Sequence, residues 1–256
     1  MDKDKSGLSI VKVARENHDT TSIYFTGPEI ERFRDRQAGQ FASIRVLRDG
    51  KWSEPHPFTL SSAPEDATLR MTIKDSGVFT SKIPDLQPGT PIQCAGPFGT
   101  FCAGIDKQPV IVMIAGGVGV TPFLSVLRHF RDTRAQNDVL LFWANKTPAD
   151  AFAAAELEEL TKSLRLTVVH AFSRVPEGER APGPTFDDGR PGRVLHEYGR
   201  LSQEILARHM KATNAAFYLC GPPPMQEAVI AELAKCGVAG QEVQKEAFLY
   251  NTPKKP

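Results

Sequence analysis

Residues 110–123 have the sequence VIVMIAGGVGVTPF, and this stretch carries the clearest structural signal in the chain. It opens with five apolar residues, which is typical of a strand buried on both faces of a parallel sheet. The glycines that follow let the backbone turn tightly and approach a ligand, because they carry no Cβ. The amphipathic residues 123–131 predict a helix whose N-terminus favours an anionic phosphate. We therefore predict a strand, a phosphate-binding loop and a helix, with a glycine turn of an ordinary α/β domain as the alternative.

Beyond residue 105 the chain continues to alternate between strands and helices. Further strands are predicted at residues 139–143, 166–172, 216–220 and 242–248. Helices are predicted at residues 121–134, 151–164, 202–210 and 223–235, and residues 176–193 are predicted as a loop rich in proline and glycine. This alternation indicates βαβ units and a doubly wound parallel sheet with helices on both faces.

The residues before 105 instead predict short antiparallel strands. Apolar and polar residues alternate at 8–13, 21–25, 40–47 and 67–74. Asp49-Gly50 is a favoured pair for a tight hairpin turn. The sequence thus predicts two domains of β and α/β class, an antiparallel β-barrel at residues 1–104 and the parallel-sheet domain at residues 105–256.

The overall composition is that of an ordinary globular protein, and it argues against several functional classes of protein. The chain has 256 residues, 41% of them hydrophobic, and a formal net charge of +1, which gives no reason to expect nucleic acid. Its four cysteines are scattered and form no Cys-x-x-Cys pair, so we predict no metal site and no iron–sulfur cluster. No apolar run reaches membrane-spanning length, and the N-terminus lacks a signal-peptide core. We expect a cytoplasmic location.

Four segments of the chain match one protein family in the same order. They are HPFTLSS at 56–62, GPFG at 96–99, AGGVGVTP at 115–122 and CGPPPM at 220–225. With them the chain resembles the ferredoxin–NADP reductase superfamily of flavoproteins, and its HPFT form is similar to the ferric reductase and NADPH oxidase branch. The resemblance spans essentially the whole chain. It implies a flavin-binding β-barrel joined to a nucleotide-binding domain.

The resemblance implies two segments of the barrel that would bind FAD. In the first, an aromatic residue packs on the flavin ring and a hydroxyl bonds near its reactive nitrogen. A histidine stands here in place of the family's arginine, which leaves open whether it contacts phosphate. The second segment would hold the pyrophosphate, with a capped surface turn as the alternative. The residues that match are His56, Pro57, Phe58 and Thr59 in the first segment, and Gly77, Val78, Thr80 and Ser81 in the second.

The resemblance also implies a site for a nicotinamide dinucleotide in the second domain. Its pyrophosphate loop would be formed by Gly116, Gly117, Gly119, Thr121 and Pro122. A second group would lie near the nicotinamide, and it comprises Cys220, Gly221, Pro222 and Met225. The cysteine would align the nicotinamide for hydride transfer without acting as a nucleophile. A small core residue at the end of an apolar strand is the alternative interpretation of that cysteine.

The remaining site predictions concern cofactor choice and the C-terminal segment. In family members that use NADPH, a Ser-Arg pair binds the 2′-phosphate, and Ser173-Arg174 matches it. We therefore predict NADPH, with NADH as the alternative. Glu246 would lie near the flavin edge, and Phe248 would cover the flavin face, with Tyr250 as the alternative.

The resulting hypothesis is an FAD-dependent NAD(P)H oxidoreductase. By resemblance, a hydride passes from the nicotinamide to flavin N5, and electrons then leave to a separate acceptor. That acceptor would be a ferredoxin, a haem or iron–sulfur partner, or ferric iron. In this scheme Thr59, Cys220, Glu246 and Phe248 are the catalytic candidates. A flavin-binding electron-transfer or sensor subunit that is active only within a larger complex is the alternative.

Overall fold

The computed structural model describes residues 7–180, 193–211 and 214–247. These residues form two compact units. The first unit contains residues 7–103 together with 121–129, and the second contains the remaining described residues. Each unit is built around a sheet of its own.

The first unit is an antiparallel barrel-like sheet of seven strands. The strands are β1 Leu8–Arg15, β2 Thr20–Thr26, β3 Phe41–Arg48, β4 Lys51–Trp52, β5 His56–Thr59, β6 Leu69–Lys74 and β7 Pro91–Phe98. They follow the order β4-β3-β7-β1-β2-β6, and β5 pairs with β3. The residues after β5 complete the ring, because the Ser61 N–H donates a hydrogen bond of 2.8 Å to the Arg70 carbonyl of β6.

The barrel core follows from the predicted alternation of apolar and polar residues. Leu69, Met71 and Ile73 lie on one face of β6, and all three are buried. The predicted hairpin turn joins β3 to β4. Asp49 and Gly50 both have positive φ, 48° and 72°, as a tight two-residue hairpin turn requires.

The second unit contains a six-stranded sheet in which every neighbouring pair of strands is parallel. Its strands are β8 Val110–Gly116, β9 Asp138–Asn145, β10 Leu166–Phe172, β11 Arg193–Tyr198, β12 Ala216–Gly221 and β13 Val243–Ala247. The α-helices of the described chain are α1 Thr121–Thr133, α2 Ala154–Thr161, α3 Gln203–His209 and α4 Pro223–Lys235. The predicted fold class, an antiparallel barrel followed by a parallel α/β sheet, is confirmed.

The order of the parallel strands places one crevice at the centre of the sheet. The order is β11-β10-β9-β8-β12-β13, so the chain runs outward from β8 to β11 and then returns to β12 beside β8. Ligands of open α/β sheets bind at such a switch point, beyond the carboxyl ends of the strands. Here those ends are Gly116 of β8 and Gly221 of β12.

Strand β11 was not predicted from the sequence. Its residues RVLHEY mix charged and apolar side chains, and only Leu195 and Glu197 are buried. An edge strand of a parallel sheet needs burial on fewer sides, so it lacks the continuous apolar run of an inner strand. Helix α2 is also shorter than the predicted residues 151–164, and a separate turn of 3-10 helix at Pro148–Asp150 comes before it.

Candidate functional site

The glycine loop after β8 packs so closely on its neighbours that a side chain on Gly116 or Gly119 would overlap them. A Cβ on Gly119 would overlap the Cys220 carbonyl oxygen and would lie 2.8 Å from its carbon. A Cβ on Gly116 would overlap the Met225 sulfur. Gly117 has a φ of +53°, which L-residues with a side chain rarely adopt. The loop therefore needs glycine for two different reasons, close packing and backbone conformation.

The helix that follows the loop begins at the predicted residues. Thr121 is the first residue of α1, and both Thr121 and Pro122 are buried. Proline suits the first turn of a helix, because the N–H that it lacks has no partner within the helix. The structure therefore has the predicted succession of strand, glycine loop and helix.

The end of β12 lies beside the loop at the switch point. Cys220 is fully buried and pairs with Ala115 of β8 on one side and with Glu246 of β13 on the other. Helix α4 begins after Pro222, and the sulfur of Met225 lies close to Gly221. The predicted group at 220–225 is therefore brought together with Gly116 and Gly119.

Gln226 is a site residue that was not predicted from the sequence. Its side-chain amide donates to the Gly221 carbonyl at 2.9 Å and to the Glu246 carbonyl at 2.7 Å. It thereby ties the ends of β12 and β13 to the first turn of α4. Gln226 is buried. The available signal in the sequence was a polar residue on the apolar face of the predicted helix.

Glu246 carries a buried carboxylate oxygen. Its Oε2 atom is buried and has no hydrogen-bond partner among the described residues. Burial raises the pKa of Glu246 from its ordinary value of 4.5 to about 7. Near neutral pH the group can therefore hold a proton at Oε2. The predicted aromatic cover, Phe248, and its alternative Tyr250 lie outside the described residues.

The raised pKa of Glu246 predicts a pH-dependent stability. The folded state binds this proton more tightly than the unfolded chain, so the contribution of Glu246 is most favourable below pH 4.5 and declines as the pH rises to about 7. We expect Glu246→Gln to reduce this pH-dependent decline in the free energy of unfolding by about 1–2 kcal/mol. This value allows for the partial solvent exposure of the side chain. Thermal unfolding of the cofactor-free protein between pH 4.5 and 8 measures it.

The exposed Glu227 of α4 provides the matched control. Glu227→Gln should retain the pH dependence of the wild type. Identical pH profiles for the two variants would contradict a buried, protonated Glu246.

The predicted Ser-Arg pair follows β10 at the same edge of the parallel sheet. The Ser173 N–H and hydroxyl both donate to the Asn145 carbonyl, at 3.1 and 3.3 Å, and the Arg174 N–H donates to the Lys146 carbonyl at 2.8 Å. The side chains of Arg174 and Lys146 are both exposed. The ends of β9 and β10 thus present two cations on adjacent segments, one and two strands away from β8 and its glycine loop.

In the first unit, stacked rings bring the two predicted flavin segments together. The His56 ring stacks on Phe79 with 3.8 Å between centroids, and Phe58 lies nearly parallel to Phe79 at 6.1 Å. Phe79 belongs to the second segment and was not singled out from the sequence. Burial lowers the pKa of His56 below its usual 6.5, so near pH 7 the ring offers an N–H donor without a charge. His56 therefore does not supply the positive charge of the arginine that it replaces. Pro57, between the two ring-bearing residues, is exposed.

The hydroxyls of the second flavin segment are engaged in a local turn. The Thr80 hydroxyl donates to the Gly77 carbonyl at 3.1 Å, and the Ser81 hydroxyl donates to the Val78 carbonyl at the same distance. The 3-10 helix Thr80–Asp85 begins at this turn. These bonds hold the segment as a preformed loop, in which Gly77 and Val78 are exposed.

The backbone after β5 is held by buried polar side chains that were not predicted from the sequence. Arg36 donates to the Ala63 carbonyl and to the Ser62 hydroxyl, and Arg128 donates to the Ser61 carbonyl. The Ser125 hydroxyl donates to the Ser62 carbonyl at 2.8 Å. The available signal in the sequence was the presence of polar residues among the apolar residues of α1. These contacts fix the chain directly after Thr59.

Thr59 has an unsatisfied hydroxyl in the barrel. Its side chain is 4% exposed, and Oγ1 finds no partner in the part of the chain that the structure describes. A buried hydroxyl without a hydrogen bond is costly, so such a group points to a ligand. Thr59 thus fits the predicted role of bonding a flavin nitrogen.

Thr59→Val should therefore act in opposite directions on stability and on FAD affinity. Valine keeps the shape and removes the hydroxyl. We expect the cofactor-free protein to gain about 1 kcal/mol, and the dissociation constant for FAD to rise roughly 3- to 10-fold through the loss of one hydrogen bond. Thermal unfolding and FAD fluorescence titration measure the two effects.

Thr72→Val is the control, because the Thr72 hydroxyl is buried and bonded to Ser22 at 2.8 Å and to Ser61 at 3.2 Å. That variant should lose stability. A destabilised Thr59→Val would show that the Thr59 hydroxyl has a partner within the protein.

Among the described residues, no helix combines the length and the apolar character needed to cross a membrane.

Two family-level sequence models match the chain, one for each predicted domain. An "FAD-binding domain" model matches residues 6–88, and an "Oxidoreductase NAD-binding domain" model matches residues 113–230. Together they cover the barrel strands up to the 3-10 helix and most of the parallel sheet.

Curated relatives of the chain include flavohemoproteins, a cytochrome b5 reductase and reductase components of a monooxygenase. A flavohemoprotein of Bacillus subtilis is 28% identical over 248 residues, which are 96% of this chain and 60% of that protein. A reductase component of propane 2-monooxygenase from Mycolicibacterium smegmatis is 29% identical over 85% of this chain and 59% of its own. NADH-cytochrome b5 reductase 1 of Eremothecium gossypii is 27% identical over 88% of this chain and 77% of its own. The chain thus spans about 60% of the length of the first two relatives.

Solved structures share the fold. The FAD/NAD-binding domain of nitric oxide dioxygenase from Vibrio cholerae has a TM-score of 0.76 at 21% identity, over 95% of this chain and 99% of that one. A ferredoxin NADP+ reductase from Neisseria gonorrhoeae, with bound FAD and NADP, has a TM-score of 0.73 at 20% identity, over 94% and 97% of the two chains.

Proposed function

Because the chain belongs to the ferredoxin–NADP reductase superfamily of flavoproteins, we propose that it is an FAD-dependent NAD(P)H oxidoreductase that passes electrons to a separate acceptor. The observation that carries the proposal is the glycine loop at the switch point, which packs on the backbone of Cys220. We also propose residues 1–104 and 105–256 as the FAD-binding and NAD(P)-binding domains. The more specific likeness to ferric reductases and NADPH oxidases stays a prediction.

The barrel residues fit FAD and have distinct tasks. Phe58 offers an aromatic face, Thr59 offers an unsatisfied hydroxyl, and His56 offers an uncharged N–H donor. The loop of Gly77 and Val78, with Thr80 and Ser81, is proposed to receive the pyrophosphate. FAD, when bound, supplies the redox chemistry by accepting a hydride and releasing electrons.

The parallel-sheet residues are proposed to orient the nicotinamide dinucleotide. The loop of Gly116, Gly117 and Gly119 brings backbone close to the pyrophosphate, and the N-terminus of α1 at Thr121 and Pro122 favours its negative charge. Cys220 is small and buried, so it can define one side of the nicotinamide pocket without blocking it. The group of Gly221, Pro222 and Met225 shapes the same edge. Holding two reacting groups in the right geometry can supply a large part of the reduction in a reaction barrier.

We propose NADPH as the preferred reductant, with NADH as the alternative. The support is the pair of exposed cations, Arg174 and Lys146, on adjacent segments beside Ser173. Arginine can form two parallel hydrogen bonds to one phosphate, which suits the additional 2′-phosphate of NADPH. Neither position 173 nor 174 is acidic, whereas an acid that holds the ribose hydroxyls is typical of NAD sites.

The acceptor is proposed to be a haem or iron–sulfur protein. The relatives named as reductase components and flavohemoproteins support this class, and the chain spans only part of their length. A ferredoxin and ferric iron remain as further acceptors to test. The alternative function is a subunit whose electron transfer requires a larger complex.

Anaerobic stopped-flow reduction of the FAD-loaded protein tests the proposal. We expect flavin bleaching with NADPH at a higher second-order rate than with NADH. Faster bleaching with NADH would overturn the NADPH preference while leaving the oxidoreductase proposal intact. No bleaching with either nucleotide, with FAD bound, would overturn the stand-alone reductase and favour the subunit alternative.

A further inference from the structure

Trp143 reaches the glycine loop from the neighbouring strand. It lies on β9, where it pairs with Ala115 of β8, and its side chain is fully buried. Its indole N–H donates a hydrogen bond of 2.8 Å to the Gly117 carbonyl. A side chain from one strand therefore fixes the backbone of the loop that follows the next.

The indole ring is itself held by aromatic neighbours. Phe152 contacts it edge-on, with 5.3 Å between centroids and an angle of 81° between ring planes. The His170 ring lies 5.5 Å away on the other neighbouring strand, β10. Burial lowers the pKa of His170 to about 4, so this neighbour stays uncharged at neutral pH. Packing on two sides therefore holds the indole N–H donor of Trp143 in one place.

Fixing the Gly117 carbonyl also fixes the next amide. In a trans peptide the C=O and the N–H of the following residue point in opposite directions. The bond to Trp143 therefore directs the Val118 N–H away from the indole. Backbone N–H groups of such loops are the groups that bind phosphate.

We propose that Trp143 is a positioning residue. It holds the Gly117–Val118 peptide in the orientation that binds the pyrophosphate of the nicotinamide dinucleotide. This role rests on the proposed function, since it presumes that the loop binds a dinucleotide. Trp143 does not touch the reacting atoms in this scheme. Its loss should therefore weaken binding and leave the limiting rate of flavin reduction unchanged.

Calorimetric titration of Trp143→Phe tests the proposal without turnover. Phenylalanine keeps an aromatic ring beside Phe152 and His170 but lacks the N–H donor. The ligands are NADP+, NAD+ and ADP-ribose, the last of which carries the pyrophosphate without nicotinamide. We expect the dissociation constants for ADP-ribose and for the preferred dinucleotide to rise by the same factor, roughly 5- to 30-fold, as loss of one buried hydrogen bond implies. Trp52→Phe, at the other tryptophan of the chain, is the control and should bind as the wild type does.

The outcomes separate this inference from the function on which it rests. Equal affinities for Trp143→Phe and wild type would overturn the role of Trp143 alone. Weaker binding of the dinucleotide with unchanged ADP-ribose affinity would also overturn it, because the effect would then lie at the nicotinamide. A wild type that binds none of the three ligands would overturn the proposed function itself.

Nuclear magnetic resonance of the wild type decides the matter if Trp143→Phe does not fold. The two indole N–H resonances of the ¹⁵N-labelled protein can be assigned with Trp52→Phe. We expect ADP-ribose to shift the Trp143 resonance and to leave that of Trp52 in place. An unmoved Trp143 resonance at saturating ADP-ribose would overturn the proposal.

Discussion

Gly119→Ala is expected to weaken dinucleotide binding roughly 5- to 150-fold, which corresponds to an overpacking cost of about 1–3 kcal/mol. The new Cβ would overlap the Cys220 carbonyl oxygen and would lie 3.1 Å from the Gly221 Cα. Both are backbone atoms of β12, which is hydrogen-bonded to β8 on one side and β13 on the other. Because the strand is held on both sides, the loop is the part that must move. Titration with NADP+ and NAD+ measures the effect.

Gly178→Ala is the matched control for this change. A Cβ on Gly178 would meet nothing within 4 Å, and its backbone does not have a positive φ. That variant should bind dinucleotide as the wild type does. If Gly119→Ala bound equally well, the overlap would have been relieved without displacing the loop, and the close packing would not be needed for binding.

The structure of residues 110–123 could be predicted well, because the signals for it lie within those residues themselves. Five apolar residues encode a buried inner strand, and the glycines encode a loop that approaches other backbone. The Asp49-Gly50 hairpin was predicted for the same kind of reason, since positive φ is a property of the two turn residues themselves. Motif order then extended the prediction to the superfamily, which is confirmed.

The residues that support the site were not predictable, because their roles depend on tertiary pairing. Trp143 looks like an ordinary core residue until strand order puts β9 beside the loop. Gln226 acquires its role only because β12 and β13 end side by side. Phe79 joins the two flavin segments through ring stacking, which the spacing of the sequence does not encode. Strand β11 was missed because its edge position lets it be polar.

A hydrogen-bonded cluster around the buried Glu197 joins β11 to α3 and provides the second large expected effect. The Glu197 carboxylate accepts from the His209 Nε2 at 2.6 Å and from the Arg208 Nη1 at 2.8 Å. Side chains of Glu197 and His209 are 7% and 3% exposed, whereas that of Arg208 is 55% exposed. Nδ1 of His209 has no partner within the described residues. Glu197 is therefore the acceptor on which the buried imidazole depends.

Glu197→Ala should lower the free energy of unfolding by about 3 kcal/mol, because removing one partner of a buried pair leaves the other unsatisfied. Asp138→Ala is the control. It breaks the exposed pair of Asp138 with Arg165, whose bonds of 2.6 and 2.9 Å are equally short, and should cost less than about 1 kcal/mol. Urea unfolding followed by Trp143 fluorescence, in a Trp52→Phe background, reports on the unit that contains both pairs.

A double substitution separates the effect of leaving a buried polar group unsatisfied from the effect of lost packing. Glu197→Leu combined with His209→Phe replaces the buried groups by apolar ones, and replacing both partners of a buried hydrogen bond by apolar groups can be nearly neutral or stabilising. We expect the double variant to recover most of the stability that Glu197→Ala loses. If it stays as unstable as Glu197→Ala, the cluster would be needed for its hydrogen bonds and geometry. Because β11 pairs with β10 along its whole length, loss of this edge should also disturb the start of the Ser173-Arg174 segment and weaken NADPH binding.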